Sequence, residues 1–313
     1  MFKKNLIPSS LFATLAGMAA IIFWSTNIAF SKSLMNSLGN LEAMFMIYFF
    51  GGLVMLVFML IIMGRDFFAK LRNLPLAYYT GTGIFLLLNN TLLYAAIGLA
   101  ADEKELLIVT ILNYLWPMLI YVLKVPVFGL RVKPLLFAAG IFLGMAGVAL
   151  VFSHQYTAAE FLGLFIHPGN NFLAYLLAVL TAVSWAVYVN FTKKNLKTDD
   201  FAALPVLFML SGLIFLALLW QSGKFQPHSL KALIHNFDLI YTILFPTALG
   251  YIFWNISMKN GNKDLVVSMS YLIPLLSVLV IGLKFNTPPG LATLTASLLL
   301  ISGAWLSYRS IRR

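Results

Sequence analysis

Two related strings lie half a chain apart, each near the middle of an apolar run long enough to cross a membrane. They are Asn113-Tyr114-Leu115-Trp116-Pro117 and Ser270-Tyr271-Leu272-Ile273-Pro274, 157 residues apart in a chain of 313. In both, a tyrosine stands three residues before a proline. The flanks repeat in step. Trp24…Phe30-Ser31-Lys32 is echoed by Trp185…Phe191-Thr192-Lys193, and Leu143…Gly147…Leu150 by Leu299…Gly303…Leu306. Duplication at this period, carried by apolar helices, restricts the fold to two matched halves packed around a shared centre.

The runs themselves fix the class. The chain is 61% hydrophobic and only 10% charged, outside the range of soluble domains. The apolar stretches are continuous rather than alternating, which excludes a membrane β-barrel. At about 20 residues per crossing, ten spans are predicted, near 11–32, 42–63, 75–99, 104–124, 134–152, 171–193, 201–221, 238–258, 264–284 and 289–308. Turn residues separate them, as at Asn73-Leu74-Pro75, His167-Pro168-Gly169-Asn170 and Thr287-Pro288-Pro289-Gly290. The first run, behind Lys3-Lys4, reads as a retained span rather than a signal peptide, because its mate at 174–192 belongs to the fold. The fold class is therefore an all-α integral membrane protein of ten transmembrane helices, arranged as five-helix repeats at 1–158 and 159–313.

Charge sets the orientation. With the N-terminus in the cytoplasm, 16 of the 21 Lys and Arg fall on inside segments. The other five are Lys32, Lys104, Lys224, Lys231 and Lys284. That bias places both termini in the cytoplasm. Five is odd, so the second half enters from the opposite side and the repeat is inverted. The formal charge of +11 follows from this clustering at helix ends and does not indicate nucleic acid.

Gly140, Gly144 and Gly147 share one face of the fifth span, and Ser302-Gly303 does similar work in the tenth. Small residues at this spacing predict close helix packing, within the chain or between copies. Pro117 and Pro274 lack an amide proton, so each is expected to bend its span and free the carbonyl four residues back, that of Asn113 or Ser270. Unpaired backbone at membrane depth is tolerable where it is buried in protein or faces a wet cavity. Matched breaks in two halves mark a hinge beside a binding site.

Polar and aromatic side chains interleave near the same depth. Trp24 and Asn27 are three apart, as are Asn113 and Trp116, and Trp185 and Tyr188. Asn90 and Tyr94 share a face of the third span beside Asn89, and Trp254 adjoins Asn255. Each asparagine alone is accounted for by hydrogen bonding between helices. Together the set predicts a polar cavity lined by aromatic faces, suited to a flat ring or to a cation over π-faces. The predicted binding residues are Trp24, Asn27, Asn90, Tyr94, Asn113, Trp116, Trp185, Tyr188, Asn255 and Tyr271. Trp220 and Trp305 lie near span ends and read as interfacial anchors.

No Asp or Glu lies well inside a span; Glu42, Glu103, Glu105 and Asp238 stand at span starts, and all four His fall in connections. Cysteine is absent. No metal cluster, Ser-His-Asp set or nucleotide-binding loop can be assembled at depth. No enzyme activity and no cofactor are expected, and transport is expected to run on the substrate's own gradient or to couple through a peripheral carboxylate, Glu42 or Glu105.

Phe23-Trp24-Ser25-Thr26, Asn113-Tyr114-Leu115-Trp116-Pro117, the Trp185 helix, Trp254-Asn255 with Gly261-Asn262, and Ser270-Tyr271 with Pro274 together resemble the EamA-type branch of the drug/metabolite transporter superfamily. Within it the chain is similar to the aromatic amino-acid exporters. The resemblance implies a bacterial inner-membrane exporter of aromatic amino acids, embedded in lipid, with a central aromatic cavity that maps onto Trp24, Trp116 and Trp185. The runner-up that it implies is an efflux carrier for aromatic or cationic drugs such as methyl viologen. Members carry an acidic residue about five positions before the fourth-span motif; Ile108 stands there in this chain.

Overall fold

The computed structural model describes residues 9–76, 78–166, 169–195, 200–223 and 235–311. Lys3, Lys4, Lys197, Lys224, Lys231, Arg312 and Arg313 of the charge count lie outside them, as do His167, Pro168 and His228 of the predicted connections. The described chain is helical, with one isolated bridge between Val132 and Ile311.

The first half holds α1 (Ser10–Leu38), α2 (Asn40–Met63), α3 (Asp66–Arg72), a π turn (Tyr78–Thr82) leading into α4 (Gly83–Leu99), α5 (Glu103–Asn113), α6 (Trp116–Phe128) and α7 (Pro134–Gln155). The short α8 (Ala158–Ile166) follows. The second half holds α9 (Asn170–Asn195), a 3-10 turn (Asp200–Ala203) leading into α10 (Leu204–Gln221), and α11 (Phe237–Thr242). A π segment (Ile243–Leu249) joins α11 to α12 (Gly250–Asn260), and α13 (Lys263–Ser270), α14 (Ile273–Phe285) and α15 (Leu291–Ser310) complete the chain. Among the described residues, eight stretches are long and apolar enough to cross a membrane: Ser10–Leu38, Asn40–Met63, Glu103–Phe128, Pro134–Gln155, Asn171–Thr192, Phe201–Gln221, Phe237–Asn260 and Leu291–Ser310. Helices α4 and α14 are apolar but shorter.

Helix starts follow local chemistry. Ser9 accepts from the Phe12 amide at 3.2 Å, and Asp102 from the Glu105 amide at 2.8 Å. Thr157 and Glu160 cap α8 reciprocally, a capping box on a nine-residue helix. The Thr157 amide and hydroxyl hold the exposed Glu160 carboxyl below the usual carboxylate range.

The outer surface is that of a membrane protein. Leu135 is 85% exposed and Leu291 80%, and Ile61, Phe142 and Leu283 also face outward. Apolar residues at these positions have no soluble partner and match hydrocarbon. Inside, backbones approach closely. A Cβ on Gly303 would lie 2.6 Å from the Gly140 carbonyl oxygen, and one on Gly140 would lie 2.8 Å from that of Gly303. The glycine stripe of α7 therefore packs α7 against α15 within one chain. Trp220 and Trp305 are exposed on the surface.

Both proline motifs interrupt their helices. Helix α5 ends at Asn113 and α6 begins at Trp116, with Pro117 in its first turn. Helix α13 ends at Ser270 and α14 begins at Ile273, with Pro274 in its first turn. A proline in a first helical turn lacks only an amide that had no partner there. Each proline thus starts a new helix rather than straining a continuous one. The Tyr114 amide bonds the Thr110 carbonyl at 3.0 Å and the Leu115 amide the Leu112 carbonyl at 3.2 Å. The Leu272 amide bonds the Met269 carbonyl at 2.9 Å.

Candidate functional site

A third proline shapes the centre of the molecule. Pro246 lies inside the π segment 243–249, where the Gly250 amide bonds the Phe245 carbonyl, five residues back. In an α-helix that amide would serve Pro246 instead. The freed Pro246 carbonyl accepts from the Trp24 indole at 3.2 Å. Gly250 makes this approach possible, because a Cβ there would stand 2.7 Å from Trp24 Nε1. A backbone irregularity in the second half thereby fixes the orientation of a tryptophan in the first.

Beside Trp24 is a cavity of about 40 Å³. It is lined from α1 by Trp24 and Asn27, from α2 by Tyr48, from α4 by Asn89, Asn90, Leu93 and Tyr94, from α10 by Phe208, and from the π segment and α12 by Pro246, Thr247 and Tyr251. Among the described residues, no carboxylate, lysine, arginine or histidine lines it. Its polar groups are linked outward. Ser31 donates to the Tyr94 hydroxyl at 3.1 Å, and Tyr94 to Asn27 Oδ1 at 3.2 Å. The Tyr48 hydroxyl donates to the Asn90 carbonyl at 3.1 Å. Asn89 Nδ2 donates to the Thr181 carbonyl of α9 at 3.2 Å.

Of the residues predicted from sequence, Trp24, Asn27, Asn90 and Tyr94 meet at this cavity. Trp116, Trp185 and Tyr188 form a ring cluster behind it. Trp185 is 6.4 Å from Trp116, 5.5 Å from Tyr188 and 6.3 Å from the cavity residue Tyr251. Tyr251 in turn is 5.2 Å from Trp24, so the aromatic faces run continuously from Trp24 to Trp116. Asn255 bonds the Tyr251 carbonyl on its own helix at 3.0 Å. Asn113 is buried at the α5–α6 break. Tyr271 stands apart, its hydroxyl 2.7 Å from that of Tyr121.

Tyr48, Phe208, Pro246, Thr247 and Tyr251 were not singled out from sequence. A signal existed for two of them. Pro246 interrupts a membrane run as Pro117 does, and Tyr251 shares a helix face with Asn255 four residues on. Tyr48 and Phe208 sit among uniformly apolar neighbours and carry no such mark.

Charged groups gather at one end of the bundle. Lys32 is buried and donates to the Ile97 carbonyl at 3.3 Å and to that of Ala100. Lys284 pairs with Asp238 at 2.7 Å and lies 4.4 Å from the Phe30 ring centroid, and Ser33 donates to Asp238 at 2.5 Å. Glu42 is buried, and no hydrogen bond reaches its Oε1 among the described residues.

Apolar spans around an uncharged cavity, contributed by both ends of the sequence, define a polytopic membrane transporter. Residues 172–309 match the model of the EamA-like transporter family, and the whole chain resembles a set of bacterial transporters. Aromatic amino acid exporter YddG of Escherichia coli K12 is 25% identical over 306 residues, 96% of this chain and 98% of that protein. Its namesake from Salmonella typhimurium strain 14028s gives the same identity and coverage. The uncharacterized transporter YvbV of Bacillus subtilis strain 168 is 30% identical over 171 residues, 53% of this chain and 52% of that one. A protein crystal structure superposes with a TM-score of 0.64 at 23% identity, covering 95% of this chain and 96% of that one, and shares the fold. The chain is a membrane transporter, not an enzyme.

Proposed function

We propose that this protein exports aromatic amino acids across the bacterial inner membrane by alternating access. Ten spans form two inverted five-helix repeats, 1–158 and 159–313, with both termini cytoplasmic. The observation that carries the reading is the uncharged, aromatic cavity between helices of the two halves, at which Trp24, Asn27, Asn90 and Tyr94 meet. The curated relatives that align with nearly the full chain are aromatic amino acid exporters.

The packing supports two equivalent halves. Its main contacts recur when they are exchanged. Helix α7 packs on α15, and α2 on α10. Helix α1 packs on α12 as α9 packs on α4, and α1 packs on α14 as α9 packs on α6. The EamA match to 172–309 alone also coincides with one half. A cavity of about 40 Å³ holds about one water, whereas ligand pockets run to roughly 300 Å³ or more. Substrate entry therefore requires the helices around Trp24 to part, as alternating access demands.

The test is counterflow in proteoliposomes with labelled Trp, Phe, Thr and methyl viologen. Saturable exchange of Trp and Phe ahead of Thr and methyl viologen is expected. Trp24→Ala is expected to cut Phe exchange about thirtyfold, the loss of a stacking aromatic worth roughly 2 kcal/mol. Lipid-facing Trp305→Ala should leave exchange intact. Preference for methyl viologen would replace this reading with cationic drug efflux, and unsaturable flux would replace it with a channel.

A further inference from the structure

The amides at the cavity are oriented by their partners. Asn89 Nδ2 donates to the Thr181 carbonyl at 3.2 Å. A carbonyl only accepts, so the nitrogen must face that side. Asn90 Nδ2 lies 3.5 Å from Ser211 Oγ, whose own proton goes to the Leu207 carbonyl at 3.0 Å. Ser211 can therefore only accept, and the nitrogen end of Asn90 faces it. In both side chains the oxygen is the free end, and no hydrogen bond reaches either Oδ1 among the described residues. Asn27 is turned the other way. Its Oδ1 accepts from Tyr94, whose hydroxyl takes a proton from Ser31. The amide nitrogen is the end left over. An uncharged cavity thus has a donor side on α1, an acceptor side on α4, and the rings of Trp24, Phe208 and Tyr251 beside them.

We propose that this polarity reads the zwitterion. The Asn27 amide takes the substrate's α-carboxylate, the Asn89 and Asn90 oxygens take its α-ammonium, and the aromatic ring lies against Trp24 and Tyr251. The proposal rests on the amino-acid reading above. It assigns specificity to three neutral side chains in a cavity with no counter-ion. A cation without a carboxylate leaves the Asn27 donor facing a positive charge, and an aromatic acid without an ammonium leaves two acceptors unpaired. Either mismatch is penalised more than a merely absent contact, because a buried polar group loses water without gaining a partner.

The experiment uses three probes that share a ring: phenylalanine, phenylethylamine and 3-phenylpropionate. Each competes against labelled phenylalanine in counterflow, and each is tested for raising the melting temperature of the purified protein. In the wild type both analogues should bind at least about tenfold more weakly than phenylalanine, the value of one lost hydrogen bond to a charged group. Asn27→Ala should weaken phenylalanine about tenfold and leave phenylethylamine no weaker, or tighter as the unpaired donor is removed. Asn89→Ala should weaken phenylalanine and phenylethylamine together and leave 3-phenylpropionate no weaker, or tighter. Asn27→Asp, which keeps the shape, should invert the preference toward phenylethylamine and serves if the alanine variant fails to fold. Equal weakening of all three probes by Asn27→Ala or Asn89→Ala would overturn the assignment. Absent counterflow in the wild type removes the transport reading instead, while the melting shifts still read the cavity's polarity.

Discussion

Gly303→Leu is expected to lose about 3 kcal/mol of stability, the upper end of the cost of overpacking a close contact. Atoms beyond Cβ have nowhere to go. The Cβ itself would stand 2.6 Å from the Gly140 carbonyl oxygen, 2.8 Å from the Gly144 nitrogen and 3.2 Å from the Gly144 Cα. All three are backbone atoms of a regular helix, so the clash cannot be relieved by a rotamer. Relief requires α7 and α15 to separate along their length, and in lipid no hydrophobic gain offsets the lost packing. Leu298→Ala on the lipid-facing side of α15 is the control and should lie within about 0.5 kcal/mol of the wild type. Thermal unfolding in detergent measures both. A Gly303→Leu protein that melts within about 2 °C of the wild type would show that α7 and α15 do not carry this contact.

That glycine contact was legible in the sequence because small residues at helical spacing have one physical use in lipid. The two broken helices were legible for a similar reason: a proline deep in an apolar run cannot be hidden. Their detailed form was not. The bend expected at each proline is a two-residue interruption with the proline inside the first turn of the next helix, since helix restart removes the strain that a continuous helix would keep. The cavity was half legible. Trp24, Asn27, Asn90 and Tyr94 announced themselves as polar and aromatic residues pairing at helical spacing. Trp185 and Trp116 obeyed the same pattern but stand one and two rings further out, behind Tyr251. Periodicity specifies a face of a helix and not the distance of that face from the centre. Tyr48 and Phe208 reach the cavity only because α2 and α10 pack there, a tertiary fact with no local mark. Tyr271 belongs to the repeat motif and was assigned to the cavity with it. Its hydroxyl is instead used in a contact between the halves.

That contact carries the second large effect. Tyr114 and Tyr271 are equivalent in the two halves, and each reaches across to the other's broken span. The Tyr114 hydroxyl lies 2.6 Å from Ser277 Oγ on α14, and the Tyr271 hydroxyl 2.7 Å from that of Tyr121 on α6. The two bonds are near-images of one another under exchange of the halves. Tyr121→Phe leaves the Tyr271 hydroxyl buried without its partner, at a cost of roughly 1–3 kcal/mol. Tyr271→Phe does the same in reverse. The double variant removes both hydroxyls and is expected to be no less stable than either single one, a coupling that a double-mutant cycle reads directly. Its larger consequence concerns motion. A bond that joins α6 to the α13–α14 break only when those segments are together stabilises the closed arrangement against the open one, and losing about 1.4 kcal/mol of it changes the population ratio tenfold. Because the chain has no native cysteine, Arg131→Cys and Leu265→Cys can carry a unique pair of spin labels, near the end of α6 and on α13. The distance distribution in the Tyr121→Phe/Tyr271→Phe background should gain a longer component that is minor in the wild type. Phenylalanine exchange should change in rate more than in half-saturating concentration, because the altered groups do not line the cavity. An unchanged distance distribution together with additive stability losses would reduce the tyrosine pair to packing and leave the gate elsewhere.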